Sequence, residues 1–360
     1  MRKGISVLLV IILVLAMFTG CTKPNSEPAA APADPGAAAP EKKEVKTIRV
    51  ASLPSQISLP LYYISKQGWD VENGFKIDLT TFPSGAPVNE ALGADLWDVS
   101  AIGAAAVMSV VGYDAIQIFS HVDAGEGINA MVRKDSPILK VKGYNPAYPE
   151  VYGDPETLKG ATILLPVGSG SHFQISKWIE AMGLKETDVK LVHMDYAQGF
   201  QAFKAGEGDI VCTSYPFTPK LVAEGYVTAS SMKTLNIPYF DNIVVNRKYY
   251  DGNKDVLVSL MEQLLRAADV FRSDEELYVD AMMEWYKLNG QEMDKENVRA
   301  EVTKKPFVTS VEAKTHQIGA SLKMQAQFMA SIGKIKNEDL NKFDTNIKTE
   351  ILEETVKRFK

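Results

Sequence analysis

The chain is poor in the residues that staple, ligate or carry redox chemistry. Among its 360 residues are two cysteines, Cys21 and Cys212, too few for a disulfide framework. The four histidines, His121, His172, His193 and His316, are scattered and show none of the Cys/His spacing of a metal site. Neither a metal nor a cofactor is expected. A basic surface is lacking too. The 39 Lys and Arg stand against 45 Asp and Glu, a formal net charge of -6, which gives no footprint for nucleic acid or anionic lipid. Any anion must be caught by local geometry. The catalytic signatures G-x-S-x-G and H-E-x-x-H do not occur, and neither does a phosphate loop with its lysine.

Long apolar runs are scarce as well. The one from Ile5 to Phe18 follows Arg2 and Lys3. It is short of the roughly 20 residues a membrane-spanning helix needs, but it fits the core of a secretory signal. It ends in Phe18-Thr19-Gly20-Cys21, which resembles a bacterial lipobox and implies a lipid on Cys21. Phe18 departs from the aliphatic residue usual there. From residue 22 to 46 prolines alternate with alanines. Such a stretch has little to bury and is expected to act as a disordered tether.

What is present in quantity is ordinary globular composition, 46% hydrophobic and 23% charged. From Thr47 the pattern alternates between α and β. Ile48–Ala51, Lys76–Thr81, Asp98–Ile102, 161–166, 189–194, 209–213 and Asn242–Asn246 read as strands. Helices are expected at Leu59–Gln67, from Ser84 to Gly93, and after Gly103. Short strands with helical crossovers predict a parallel-rich sheet covered on both faces. Glu90 to Val99 echoes Gln201 to Ile210. In each, a helix ends, the chain turns at glycine, and an acidic residue enters an apolar strand, which suggests two similar α/β lobes. The C-terminal third reads as helices at Val256–Phe271, Glu275–Tyr286 and Val311–Ile332.

The chemistry concentrates in small-residue loops behind the strands. Pro166-Val167-Gly168-Ser169-Gly170-Ser171-His172 joins an apolar strand to a helix. Ser171 with Gln174 predicts a capping box, and Gly183 a left-handed helix stop. Backbone N–H groups at such a helix start have no intrahelical partner and suit an oxyanion. Similar loops occur at Ser52–Gln56, Ser84–Pro87, Gly103–Ala105 and Ser214–Pro216. Ligands of open α/β sheets bind at the carboxyl ends of strands, and Tyr196, Tyr215 and Phe217 could wall such a cleft. Ser169, His172 and Asp195 could also be imagined as a nucleophile, base and orienter, although sequence spacing says nothing of contact. Cys212, within an apolar strand, reads as a small buried residue.

At these residues the chain resembles a solute-binding protein of an ABC importer, in the nitrate/sulfonate/taurine group of the type 2 periplasmic-binding fold. The carriers are Gly68-Trp69 through Gly74, Ser84-Gly85-Ala86-Pro87 leading to Ala91-Leu92, Asp98 with Gly103, Asp135-Ser136-Pro137-Ile138, Leu158-Lys159-Gly160, and Gly168-Ser169-Gly170-Ser171-His172. The resemblance covers Thr47 to Phe271. Two departures stand out. Residues 139–155 look like an insertion, and Ser214-Tyr215-Pro216 replaces the W-D/E-P of sulfonate binders.

The resemblance implies a two-lobed α/β fold with two hinge strands and a helical C-terminal part. Lobe 1 would combine 47–134 with 236–360, and lobe 2 would span 135–235, with crossings near Met131–Arg133 and Tyr239–Asn246. It implies a monomeric, extracytoplasmic, lipid-anchored binder that passes a small anion, an organic sulfonate or similar oxyanion, to a permease. Gly168, Ser169, Ser171 and His172 would face Ser84, Gly85, Gly103 and Ala104 across the oxyanion, with Gln56, Tyr196 and Tyr215 on the remainder. The alternatives are an enzyme on the same fold and a binder of a pyrimidine-type vitamin precursor.

Overall fold

The structure is a computed structural model that describes residues 45–359. The expected signal peptide, the lipidated Cys21 and the tether up to residue 44 lie outside the described residues. Lys46, expected at the end of the tether, already belongs to the first strand.

In chain order the strands are β1 Lys46–Ser52, β2 Phe75–Thr81, β3 Val99–Ile102, β4 Ile116–Asp123, β5 Ile128–Val132, β6 Thr162–Leu165, β7 Lys190–His193, β8 Ile210–Ser214, β9 Val227–Ser231 and β10 Phe240–Val245. They form two five-stranded sheets ordered β2-β1-β3-β10-β4 and β7-β6-β8-β5-β9. Each holds three parallel strands followed by an antiparallel strand supplied by the other half of the chain, β10 in the first sheet and β5 in the second. The sheets are therefore built to one plan.

The echo noted in the sequence has a physical cause in this plan. The Asp98 carboxylate accepts the backbone N–H of Arg49 at 2.8 Å, while the Asp98 N–H returns to the Arg49 carbonyl at 2.8 Å. Asp209 does the same with Thr162, both contacts at 2.8 Å. In each sheet the acid entering the third strand locks the neighbouring first strand. A carboxylate is suited to this because it accepts where the ladder has no carbonyl to offer.

Both faces of both sheets are covered, as period-two alternation requires. In the first sheet Val50, Ala101 and Ile243 point to one core, and Ala51, Ile102 and Val244 to another. In the second, Ile163, Ala130 and Cys212 face one core, and Leu164, Met131 and Val211 the other. The helices Lys254–Ser273 and Glu275–Leu288 seal the first of these, with Leu257, Met261, Leu264, Met282 and Trp285 buried at three- and four-residue spacing. Full burial of each such side chain stabilises by about 1.5–3 kcal/mol.

Several expectations need correcting. Met131 and Val132 are not a crossing; they are strand residues of β5, paired with β8 and β9. The chain leaves the first sheet after Asp123, and Ala124 N–H donates to the Tyr239 carbonyl at 2.8 Å. The two crossings, 124–127 and 232–239, thus run side by side. Ser171 does not cap its helix. The helix spans Gly170–Ala181, and Ser169 is the cap, accepting the Ser171 N–H at 3.1 Å. Gln174 instead reaches Ser230 at 3.0 Å. The expected helix Val311–Ile332 is broken into Ser310–Ala313 and Ala320–Ser331, with Gly319 at φ +93° starting the second. An additional helix occupies Lys295–Lys304, capped by Asp294. Residues 139–155 fold back onto the second sheet, where Tyr152 N–H donates to Ala229 at 2.9 Å and its carbonyl accepts Trp178 Nε1 at 3.0 Å. Val151 is fully buried there.

Candidate functional site

The carboxyl ends of the parallel strands in both sheets open onto one cavity of about 620 Å³. From the first sheet come Leu53–Ser55 after β1, Pro83–Gly85 after β2 and Gly103–Ala105 after β3. From the second come Ser169 and Gly170 after β6, Tyr196 after β7, and Ser214–Phe217 after β8. The crossings and the strand residues next to them form the floor through Ala124, Gly127, Ile128, Tyr239 and Asp241. Tyr286, Gln291, Glu301 and Lys305 close one side.

Three helices begin at this cavity, Gly85–Gly93, Ala106–Tyr113 and Gly170–Ala181. All three lie with the positive ends of their dipoles at the cavity, and at the Gly85 and Gly170 helices the leading N–H groups lack intrahelical partners, whereas those of Ala106, Val107 and Met108 donate to the carbonyls of Gly103, Ala104 and Ala105 at 2.9, 3.1 and 3.0 Å. The small residues there are a packing requirement. A methyl at Gly170 would overlap Tyr239 Oη, with Tyr239 Cζ and Ile128 Cδ1 each 2.9 Å away. A methyl at Gly103 would sit 2.9 Å from Asp241 Oδ1. Glycine lets the backbone approach these groups closely.

Of the residues expected to form a site, Ser84, Gly85, Gly103, Ala104, Ser169, Tyr196 and Tyr215 line this one cavity. Ser171 stands behind it, its hydroxyl 3.0 Å from that of Tyr196. The Ser169 hydroxyl donates to the Pro166 carbonyl at 2.6 Å, so its proton is committed and the backbone N–H of Gly170 is the freer donor. Tyr215 Oη donates to Ala300 at 3.3 Å, tying the second sheet's loop to the Lys295–Lys304 helix.

Gln56, Gly168 and His172 do not line the cavity. Gln56 is fully buried, and its amide nitrogen donates to Tyr278 Oη and to the Lys305 carbonyl. His172 Nδ1 accepts the Gly168 N–H at 3.1 Å, which places the proton of a neutral ring on Nε2. That atom lies 3.1 Å from Glu186 Oε1, off the line of a hydrogen bond, and the ring meets Phe328 edge-on at 5.1 Å. His172 therefore fixes the shape of the loop from behind. Ser169, His172 and Asp195 make no hydrogen bonds to one another among the described residues, so the imagined triad is not assembled. Cys212 is buried, and that burial pushes its thiol up to about 12.

Sequence reasoning missed the charged floor. Asp241 is 8% exposed, and its acidity is weakened chiefly by burial, with Asp123 and Glu301 adding to this and Lys305 opposing. Glu301 accepts from Tyr286 Oη at 2.6 Å and lies 3.5 Å from Lys305 Nζ, one helical turn on. The sign that could have exposed these residues is a charge at the mouth of an apolar strand, Phe240-Asp241-Asn242-Ile243, together with a Glu/Lys pair at i, i+4.

A protein-family model described as the NMT1-like family matches residues 41–282. A protein of Brachyspira hyodysenteriae whose name describes an ABC transporter periplasmic binding protein is 36% identical, over 98% of this chain and 99% of that one. Among solved structures, the periplasmic aliphatic sulphonate binding protein of Escherichia coli superposes with a TM-score of 0.68 at 17% identity, covering 84% of this chain and 92% of that chain. The periplasmic nitrate-binding protein of Synechocystis PCC 6803 gives 0.66 at 13% identity, covering 88% and 90%. At such identities the two structures establish a shared periplasmic-binding-protein fold.

Proposed function

The chain belongs to the NMT1-like family, and from that premise we propose that it is the extracytoplasmic solute-binding component of an ABC importer. Its ligand is a small oxyanion, an organic sulfonate being the first choice. One observation carries this reading: three helix N-termini from two sheets of the same plan converge on a single 620 Å³ cavity. Such termini hold an anion without any basic side chain, which suits a chain of net charge -6. The oxyanion rests on the backbone N–H of Gly170 and on the Gly85 and Gly103–Ala105 loops opposite. Tyr196 and Tyr215 bound the rest of the ligand.

Each sheet with its helices acts as a lobe, and the paired crossings at 124–127 and 232–239 are the hinge on which the lobes close. The name of the Brachyspira relative supports the transport role, and with it a permease in the membrane as partner. A lipid on Cys21 would hold the chain at the cell surface, with residues 22–44 as tether. The protein works as a monomer and binds its ligand without turnover.

The test is a thermal-shift panel of sulfonates, nitrate, carboxylates and pyrimidines. A ligand that binds only the folded state adds about 2.7 kcal/mol at a hundredfold excess over Kd, a plainly visible shift. Stabilisation by sulfonates, with the compound recovered unchanged, supports the reading. Response to a neutral compound and to no anion would sink it.

A further inference from the structure

Beside the paired crossings, two helices of the first lobe touch the second, and they do so in unlike ways. The Ala320–Ser331 helix carries two apolar stripes. Leu322, Ala326 and Met329 belong to a core of the first sheet, while Met324 and Phe328, one turn apart, join a core of the second. Phe328 is 8% exposed and packs on Phe173 and His172 at 5.2 and 5.1 Å. The helix also starts beside a crossing, where Ser321 Oγ accepts the Phe240 N–H at 3.0 Å.

The Lys295–Lys304 helix buries its apolar residues, Val298 and Val302, in the first lobe alone. It reaches the second lobe and the crossings through polar contacts. Tyr215 Oη donates to the Ala300 carbonyl at 3.3 Å. Lys304 pairs at 2.6 Å with Glu126 of one crossing, which also holds Lys233 of the other. Among the described residues, no apolar cluster contains both this helix and the second sheet. Between it and the Phe217–Ala223 helix lies instead a second cavity of about 900 Å³, with Asn297 and Ala300 on one side and Thr218 and Val222 on the other.

The two attachments meet the second sheet on opposite faces. Phe328 enters the core of Ile163 and Cys212, whereas the Phe217–Ala223 helix covers the face of Leu164 and Val211 with Leu221. Drawing Phe328 out of a packed core exposes apolar surface and leaves a void. Parting polar pairs that water can reach costs little, because water replaces each partner. A rotation of the lobes therefore keeps the first attachment and opens the second.

Resting on the hinge reading above, we propose that the lobes are pinned on one side. The Ala320–Ser331 helix is a third link, seated in both cores, and the lobes swing about it to part along the seam between the Lys295–Lys304 and Phe217–Ala223 helices. Tyr215 lines both cavities, so parting the seam joins them, and the ligand enters past Tyr215.

Double electron–electron resonance on spin-labelled cysteine pairs tests this in the full chain with Cys21→Ser, where buried Cys212 stays unlabelled. One pair, Val222→Cys with Glu296→Cys, spans the seam. The other, Lys177→Cys with Lys323→Cys, spans the pinned side. All four side chains reach solvent. Two levers move the lobes. Lys304→Glu sets a like charge against Glu126 and favours parting, and ethanesulfonate favours closure. Between the Lys304→Glu chain without ligand and the parent chain with ethanesulfonate, the seam distance should change at least about three times as much as the pinned one. Equal changes, or a larger change on the pinned side, overturn the proposal and leave the hinge reading standing. If neither distance changes, the hinge reading fails and the proposal with it.

Discussion

Replacing Gly170 by alanine should damage the cavity and the fold by amounts that follow from the local geometry. The added methyl would overlap Tyr239 Oη and stand 2.9 Å from both Tyr239 Cζ and Ile128 Cδ1. Tyr239 is only 4% exposed, so its ring cannot swing out to solvent. Overpacking of this kind costs about 1–3 kcal/mol. In a chain of this size that lowers Tm by a few degrees. The methyl also intrudes where the oxyanion is placed, so the sulfonate-induced shift should vanish. Tyr239→Phe in the same chain removes the worst overlap but leaves the two 2.9 Å contacts. It should recover part of the lost stability, with a coupling of about 0.5–3 kcal/mol in the double-mutant cycle. Thermal melts of the four proteins, with and without ethanesulfonate, give every term. A Gly170→Ala protein with unchanged Tm and unchanged ligand response would refute the packing argument and the placement of the anion together.

Other regions give equally definite outcomes. Phe328, on the Ala320–Ser331 helix, packs on Phe173 at 5.2 Å and His172 at 5.1 Å, while Leu322 and Met329 of the same helix face the first sheet. Phe328→Ala should cost about 3–5 kcal/mol by chemical denaturation, and a loss below 1 kcal/mol would show that this bridge between the sheets carries little. Buried His121, beside Phe307, is held neutral, its pKa lowered to about 3 first by burial and then by Lys305. Above its ordinary value near 6.5 both states are neutral. Between there and about 3 the unfolded chain takes a proton that the folded chain refuses, so stability is lost as the pH is lowered, by up to about 1.4 kcal/mol per unit. His121→Gln should lose that slope, so that the wild-type-minus-variant difference carries it, and parallel curves would contradict the assignment. The Cys212 thiol, pushed up to about 12 by burial, should resist maleimide at pH 8 until the protein is unfolded, and rapid labelling of the native state would contradict its placement.

The fold was legible wherever the signal is local. Apolar strands ending in glycine and serine, followed by amphipathic helices, mark β1 to β3 and β6 to β8 directly. Even the Asp98 and Asp209 echo proved to be one device used twice. What could not be read locally is which sheet a strand joins. Ile128–Val132 pairs with strands some eighty and a hundred residues on, and nothing in five apolar residues encodes that choice. The Lys295–Lys304 helix escaped notice because it buries only Val298, Glu301 and Val302, too few for a stripe. Its capping aspartate was the stronger sign.

The site divided along the same line. Strand–loop–helix junctions announce themselves in sequence, so the Gly85, Gly103 and Gly170 loops could be singled out before the structure placed them on one cavity. Side-chain direction within such a loop is set by tertiary packing, which is why His172 was expected to touch ligand yet turns toward Phe328. Asp241, Glu301 and Lys305 come from a strand and a helix end far apart in the chain. Only folding makes them neighbours.

The central claim is that an oxyanion sits on the Gly170 helix start inside the inter-sheet cavity. A crystal structure with 2-bromoethanesulfonate tests it most directly, because the bromine's anomalous signal fixes the tail and so the orientation. The account predicts bromine inside the cavity and a sulfonate oxygen about 3 Å from Gly170 N. A sulfonate turned down onto Lys305, or bromine outside the cavity, would contradict it.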